Sequence, residues 1–292
     1  MLEANRGRCF QGPIPGGDFY LRDGEASALL ALPDAPYADV VRPYLIGEDI
    51  TDDPGQAARR HVIDFGTRDL EHAMRYPAAL ALVRERVKPT RDHNRRKTRR
   101  ERWWRWAEVA VGLRGGVQPL QRFIAGNAQG KRFLFAWQQT DVCPSNLTNV
   151  FAFDGDYAMG VITSCVHQAW ARSESSTLRI DLRYTPTSCF ETFPWPMPSA
   201  DQRERITAAA EQLIAERQAI TIREAIGLTA LYNATDDGAW KPVADLHRRL
   251  DVAVLAAYGW PATLRDDPLE QKARLAALHA QIGAGRVAYA PF

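Results

Sequence analysis

Cysteine is scarce in this 292-residue chain, and its four copies, Cys9, Cys143, Cys165 and Cys189, stand far apart with no Cys-x-x-Cys pair. That spacing argues against a structural zinc site and a disulfide-stapled scaffold, and it suits a reducing compartment. No stretch approaches the about 18 uninterrupted apolar residues of a membrane span, and the opening MLEANRGRCF lacks the apolar core of a secretion signal. A cytoplasmic, soluble protein with no membrane contact is expected. Glycine-rich phosphate cradles are also missing, both the G-x-G-x-x-G and the G-x-x-x-x-G-K forms. So is the Asn-Pro-Pro-aromatic tetrapeptide that adenine-directed DNA methyltransferases place around the target amine. A carboxylate-rich nuclease would need Glu-x-Lys on a strand, and Glu270-Gln271-Lys272 lies instead in a Leu/Ala helical stretch. No catalytic residue, cofactor site or metal site is therefore assigned to this chain.

What is present is ordinary in amount and uneven in placement. Hydrophobic residues at 46% and charged residues at 25% leave room for one large core or two modest ones. Residues 1–83 carry 8 Lys/Arg against 13 Asp/Glu, whereas residues 84–105 carry 11 against 3. A basic block this concentrated points to a polyanionic partner. Arginine outnumbers lysine 32 to 5, and its fork suits phosphate and guanine, although an Arg-rich genome gives the same ratio. Trp103, Trp104 and Trp106 follow the charges of TRDHNRRKTRRERWWRW (90–106) directly and are expected to be buried anchors beneath phosphate-facing cations.

Along the chain, residues 1–38 form an irregular lead-in in which only Phe19–Leu21 suggests a strand. A short apolar run follows from Val40, and HVIDFG (61–66) suits a buried strand. Asp69 can cap a helix, Pro77 breaks it or starts a second, and Leu80, Val83 and Val87 recur at helical spacing. Residues 112–130 read as a loop region containing one apolar run, LQRFIAG. RFLFAW (132–137) and NVFAF (149–153) have strand composition. Asp154-Gly155-Asp156 has hairpin-turn chemistry, with YAMGVIT as the partner strand. SCVHQAWARS (164–173) reads as a short amphipathic helix, and STLRIDLRYTP (176–186) as one alternating strand with Arg179, Asp181 and Arg183 on its polar face. Beyond Ser199 the chain is expected to be helical, with segments to about Ala225, from Asp245 to Gly259 and over 267–282, and with LTALYNA and GAWKPV as connectors. The expected architecture is an α/β (α+β) fold. A mixed or antiparallel sheet domain spans 39–198, and an all-helical region spans 199–292.

Candidate chemistry is sparse. Asp154 and Asp156, with Asp141, could be an acid pair but suit a turn better. Cys165 and His167, two apart on a helix, cannot form a nucleophile–base pair with each other. For DNA contact the candidates are Arg91, Arg95, Arg99 and Arg100 in the basic block, Lys131, Arg132, Gln138 and Gln139 on the first strand, Arg172 and Ser173 at the helix end, and Arg179 and Arg183 on the polar strand face. Arg and Gln are the side chains that fork onto guanine and adenine edges.

NVFAFDGDYAMGVITSCVHQAWA (149–171) and RYTPTSCFETFPWP (183–196) resemble the target-recognition domain of the MmeI-like restriction-modification enzymes. RERWWRWAE (100–108), DVVRPYLIGEDI (39–50) and LHRRLDVAVLAAYGWP (246–261) support the likeness, which extends over nearly the whole chain. The resemblance implies sequence-specific duplex-DNA binding. It also implies a separately encoded adenine methyltransferase partner that uses S-adenosylmethionine, with or without a nuclease. A specificity subunit, a fragment of a split gene and a non-functional remnant all fit. The rival reading is a hydrolase using Cys165 or an aspartate pair.

Overall fold

A computed structural model describes residues 1–178 and 181–292. Its strands are β1 (Cys9–Gln11), β2 (Tyr20–Leu21), β3 (Val41–Leu45), β4 (Arg60–Ile63), β5 (Arg122–Asn127), β6 (Gln129–Gly130), β7 (Phe135–Gln139), β8 (Cys143–Pro144), β9 (Thr148–Phe151), β10 (Ser176–Leu178) and β11 (Asp181–Arg183). The helices are α1 (Glu25–Leu30), α2 (Gly47–Thr51), α3 (Leu70–Ala73), α4 (Pro77–Arg86), α5 (Lys88–Asp92), α6 (Lys97–Glu101), α7 (Val111–Val117), α8 (Asp156–Thr163), α9 (Cys165–Glu174), α10 (Ala200–Glu224), α11 (Leu228–Asp236), α12 (Lys241–Ala257) and α13 (Pro268–Gly283). They build three sheets, ordered β1-β9-β5-β7, β2-β4-β3-β8 and β10-β11-β6. Every pairing is antiparallel except β3 with β8. The expected mixed α/β class, with helices from residue 200 onward, is what the chain adopts.

Two bodies form around separate cores. In the tryptophan-rich body, Trp103, Trp104 and Trp106 pack with Phe19, Tyr44, Val62 and Phe65 against β2-β4-β3-β8 and α4. The Trp104 and Trp106 ring N–H groups donate to the carbonyls of Arg68 and Ile63, at 3.0 and 2.9 Å. Such satisfied indoles can be buried without loss, so the three tryptophans are anchors, as expected. In the larger sheet–helix body, the aromatic faces of β5, β7 and β9 meet α8, α9 and the C-terminal helices. Gly160 of α8 is the close-approach point, since a Cβ there would stand 2.9 Å from Ile206 Cγ2 and 3.0 Å from Ala210 Cβ. A third cluster, including Leu45, Ile50, Phe123 and Val150, joins the two.

The lead-in is woven into both bodies: β1 is an edge of the central sheet and β2 an edge of the second. The Asn5 amide donates to the carbonyls of Phe190 and Phe193, and Tyr289 donates to Asn5 while receiving the Trp195 N–H. The two chain ends thereby seal the FPWP corner.

Several elements differ from the sequence expectation. The LQRFIAG run is β5, an inner strand of the central sheet between β9 and β7, where Phe123, Ile124 and Ala125 are buried. Residues 154–163 are no hairpin: Gly155 precedes helix α8, whose residues Tyr157 to Thr163 are all buried. The LTALYNA connector is α11, and α12 starts at Lys241 with Pro242 in its first turn, ahead of Asp245. STLRIDLRYTP is an antiparallel pair, with Ser176 opposite Arg183, rather than one strand. The C-terminal helices were better signalled: Ser199 and Gln202 form a reciprocal capping box, and Ala225 ends α10 in the left-handed region. No helix among the described residues is long and apolar enough to cross a membrane.

Candidate nucleic-acid interface

The predicted contact residues fall into two groups, one on each body. In the basic block, α4 to α6 turn tightly over the tryptophan core. Arg95 and Arg100 are exposed and Arg99 half-buried. None of the three has a carboxylate partner among the described residues, while Lys88 and Lys97 are matched within their helices by Asp92 and Glu101. Arg100 donates to the carbonyls of Asn94 and Arg95, which stiffens the loop between α5 and α6. Arg91 is the exception and a correction. It is 2% exposed, and its guanidinium donates to the carbonyls of Pro15 and Arg105, at 3.0 and 3.4 Å. Burial, with Arg99 nearby, lowers its pKa from the ordinary arginine value. Arg91 therefore ties the lead-in to the basic block and cannot reach a phosphate.

The second group gathers around the small sheet β10-β11-β6. Arg183 is exposed on β11 opposite Gln129, and the exposed Lys131 follows β6 directly. Arg132 pairs with Asp236 at 2.5 Å and lies 4.9 Å over the Tyr232 ring, so it is fixed by α11. Arg172 is near enough for the Arg132 charge to add to burial in lowering its pKa. Ser173 donates to the Trp170 carbonyl and the Glu174 carboxylate. Arg179 lies outside the described residues. Gln139 is exposed at the end of β7, but Gln138 is 6% exposed and donates to the Gln56 carbonyl at 2.6 Å. Adjacent strand residues face opposite sides, so only one of this pair could have read a base, and Gln138 is withdrawn.

Between the two bodies runs a cleft of about 490 Å³. Tyr20, Tyr44, Thr51 and Arg60 line one wall, and Asn127, Gln129, Asn146 and Leu147 the other. Its one cation among the described residues is Arg60, which is paired with Asp49, and Glu48 also lines it. The second group approaches it through Gln129, which stands opposite Arg183 in the β11–β6 pairing. Gln129, Asn146 and Arg60 were not singled out from the sequence. The available signal was the Asn/Gln density of NAQG and SNLTN beside strands.

Of the residues considered for catalysis, Asp156, Cys165 and His167 are otherwise engaged. Among the described residues only the backbone carbonyls of Asp141 and Asp154 are used, by Arg42 and Arg122. Asp156 accepts from Arg122 at 2.6 Å and from the Trp137 ring N–H at 3.2 Å. Burial, then the neighbouring Asp251, raises the Cys165 thiol well above its ordinary pKa, which disfavours the nucleophilic thiolate. His167 is enclosed between the Ile162 carbonyl and the Tyr184 hydroxyl, with burial holding it down to about 4. Among the described residues no group of three or more His, Cys, Asp and Glu could hold a metal ion.

Residues 8–197 match the model of the family described as MmeI, target recognition domain. The chain belongs to this family. A target recognition domain is the sequence-reading part of an MmeI-like system, and the matched residues contain both groups of cations and the residues lining the cleft. The solved structure of the Type IIL restriction-modification enzyme MmeI in complex with DNA superposes with a TM-score of 0.72 at 19% identity, over 95% of this chain and 35% of that one. The shared fold therefore continues beyond the recognition domain into the C-terminal helices. DNA methyltransferase A of Bacillus subtilis (strain 168) is 31% identical over 120 residues, covering 40% of this chain and 13% of that protein. The chain thus spans about a third of the length of the first relative and about an eighth of the second.

Proposed function

We propose that this MmeI-type target recognition domain grips duplex DNA between its two bodies and selects a short sequence. It thereby positions an adenine for N6-methylation by a methyltransferase of the same system. The observation that carries this reading is the family match over residues 8–197, which contains exposed cations on both bodies. The loose cations of the basic block would neutralise phosphates and set affinity. Arg183, Lys131 and Gln139, with Gln129 and Asn146, would meet base edges and set the word that is read. The partner would be an S-adenosylmethionine-dependent adenine methyltransferase, joined by a nuclease where the system also cleaves, and the target base would leave the stack to be methylated. The compartment would be the cytoplasm, where bacterial DNA lies.

The test is selection of a random duplex library on the purified chain at two salt concentrations. A short enriched word that survives the higher salt is expected. Absence of binding at low salt would contradict DNA reading by this chain.

A further inference from the structure

A second cavity, of about 310 Å³, lies on the opposite side of β7 from the Gln138 amide, where the central sheet meets α9, α10, α11 and α12. Its size is within the range of small-molecule sites. Its wall is unusually cationic: Arg132, Arg172, Arg217 and Arg265 all line it. Two of these are neutralised, Arg132 by Asp236 and Arg265 by Asp251. Arg172 and Arg217 have no carboxylate partner among the described residues.

Arg217 is the informative one. It is 3% exposed, a depth at which an unpaired guanidinium is costly. Its terminal nitrogens donate to the Tyr232 hydroxyl and the Phe135 carbonyl, at 3.2 and 2.7 Å, but its Nε has no partner. Tyr232 in turn is 2.7 Å from His247 Nε2. Burial and the surrounding arginines hold that imidazole down to about 3, so it adds no charge and can accept the tyrosine proton. Gln168, on the same wall, donates to the Phe133 carbonyl while its Oε1 is buried without a partner. The cavity therefore offers uncompensated positive charge and the aromatic surfaces of Phe133 and Tyr232.

We infer that this cavity is an anion site that takes a phosphate monoester, with Arg172 and Arg217 on the phosphate and Phe133 and Tyr232 against the esterified group. The site is separate from the cleft and does not rest on the DNA-reading role. The phosphate comes either from a small molecule or from a DNA backbone that reaches the mouth of the cavity beside Arg132.

The experiment is a titration of the purified chain with inorganic phosphate, adenosine 5′-monophosphate and neutral adenosine, read by thermal shift and calorimetry. Saturable binding of both phosphate compounds and none of adenosine is expected. Arg172→Gln, near the exposed rim, should weaken that binding at least tenfold, and Arg217→Gln should do the same where it folds. Binding unchanged in Arg172→Gln would overturn the proposal, as would its loss in the Arg95→Ala/Arg99→Ala/Arg100→Ala variant, which would place the anion on the basic block. A repeat with duplex-saturated protein separates the sources. Competition identifies a backbone phosphate, and simultaneous binding identifies a small molecule, each with the anion site intact.

Discussion

On the tryptophan-rich body, Arg95, Arg99 and Arg100 stand on short helices and loops, with no carboxylate among the described residues to hold them. On the sheet–helix body, Arg132 is clamped by Asp236 and Tyr232, and Arg183 is set in a strand register. Arg95 and Arg99 thus have no side-chain partner among the described residues and Arg100 is tied only to its own loop, whereas Arg132 is held by a neighbouring helix. Free cations follow the polyanion wherever its phosphates lie, which gives affinity without sequence information. Fixed side chains present donors at set positions, which a base edge can match or fail to match. The division of labour proposed for the two walls follows from this difference.

Removing the support beneath the free wall should have the largest effect. Trp106→Ala deletes a ring packed on Phe19 and Tyr44 and is expected to cost about 3–5 kcal/mol of stability, measured by urea unfolding. Acid should separate the two bodies next. His167 and His247 are neutral in the folded sheet–helix body, with pKa values near 4 and 3, and return toward 6.5 when unfolded. Unfolding then takes up protons, so stability is present above pH 6.5 and falls as pH drops toward 5, by on the order of a few kcal/mol in total. Backbone amide exchange at pH 5 should accelerate in α8 to α12 before β3 and β4, because the histidines of the tryptophan-rich body, His61, His72 and His93, are half-buried or exposed rather than enclosed. Equal acceleration in both bodies would break the comparison.

Functional substitutions should split along the same line. The Arg95→Ala/Arg99→Ala/Arg100→Ala variant is expected to weaken binding to all duplexes alike and to lower the salt slope by about 1 for each phosphate left without its cation. Arg183→Ala or Gln129→Ala should instead relax preference at a single position, by about 1–3 kcal/mol, with the salt slope unchanged. The smallest effect belongs to Cys165→Ala, whose affinity for DNA should match that of the unaltered chain, as read by titration with a labelled duplex.

The parts of this architecture that could be read in the sequence are those whose burial is one-sided. α10 and α13 show spaced apolar residues and caps, although Leu269 in the first turn of α13 is 79% exposed. By contrast α8 is buried on every side, so it has no polar stripe, and the Asp-Gly-Asp before it imitates a hairpin. β5 was hidden by flanking glycines, and the β10/β11 pair by the lack of a glycine, asparagine or aspartate turn. In the site, the sequence located the basic block but could not show which arginine of a run turns inward. Arg91 does so because the Pro15 and Arg105 carbonyls, 76 and 14 residues away, await a donor. Gln138 and Gln139 were indistinguishable until the strand register assigned each a face.

The central claim is that duplex DNA lies between the two walls. Hydrogen exchange of the chain with and without a selected duplex tests it most directly. The account predicts slowed exchange in both the 94–101 segment and the β6 and β11 strands, with the outer face of α13 unchanged. Protection confined to α10 to α13, with both walls of the cleft unaffected, would contradict it.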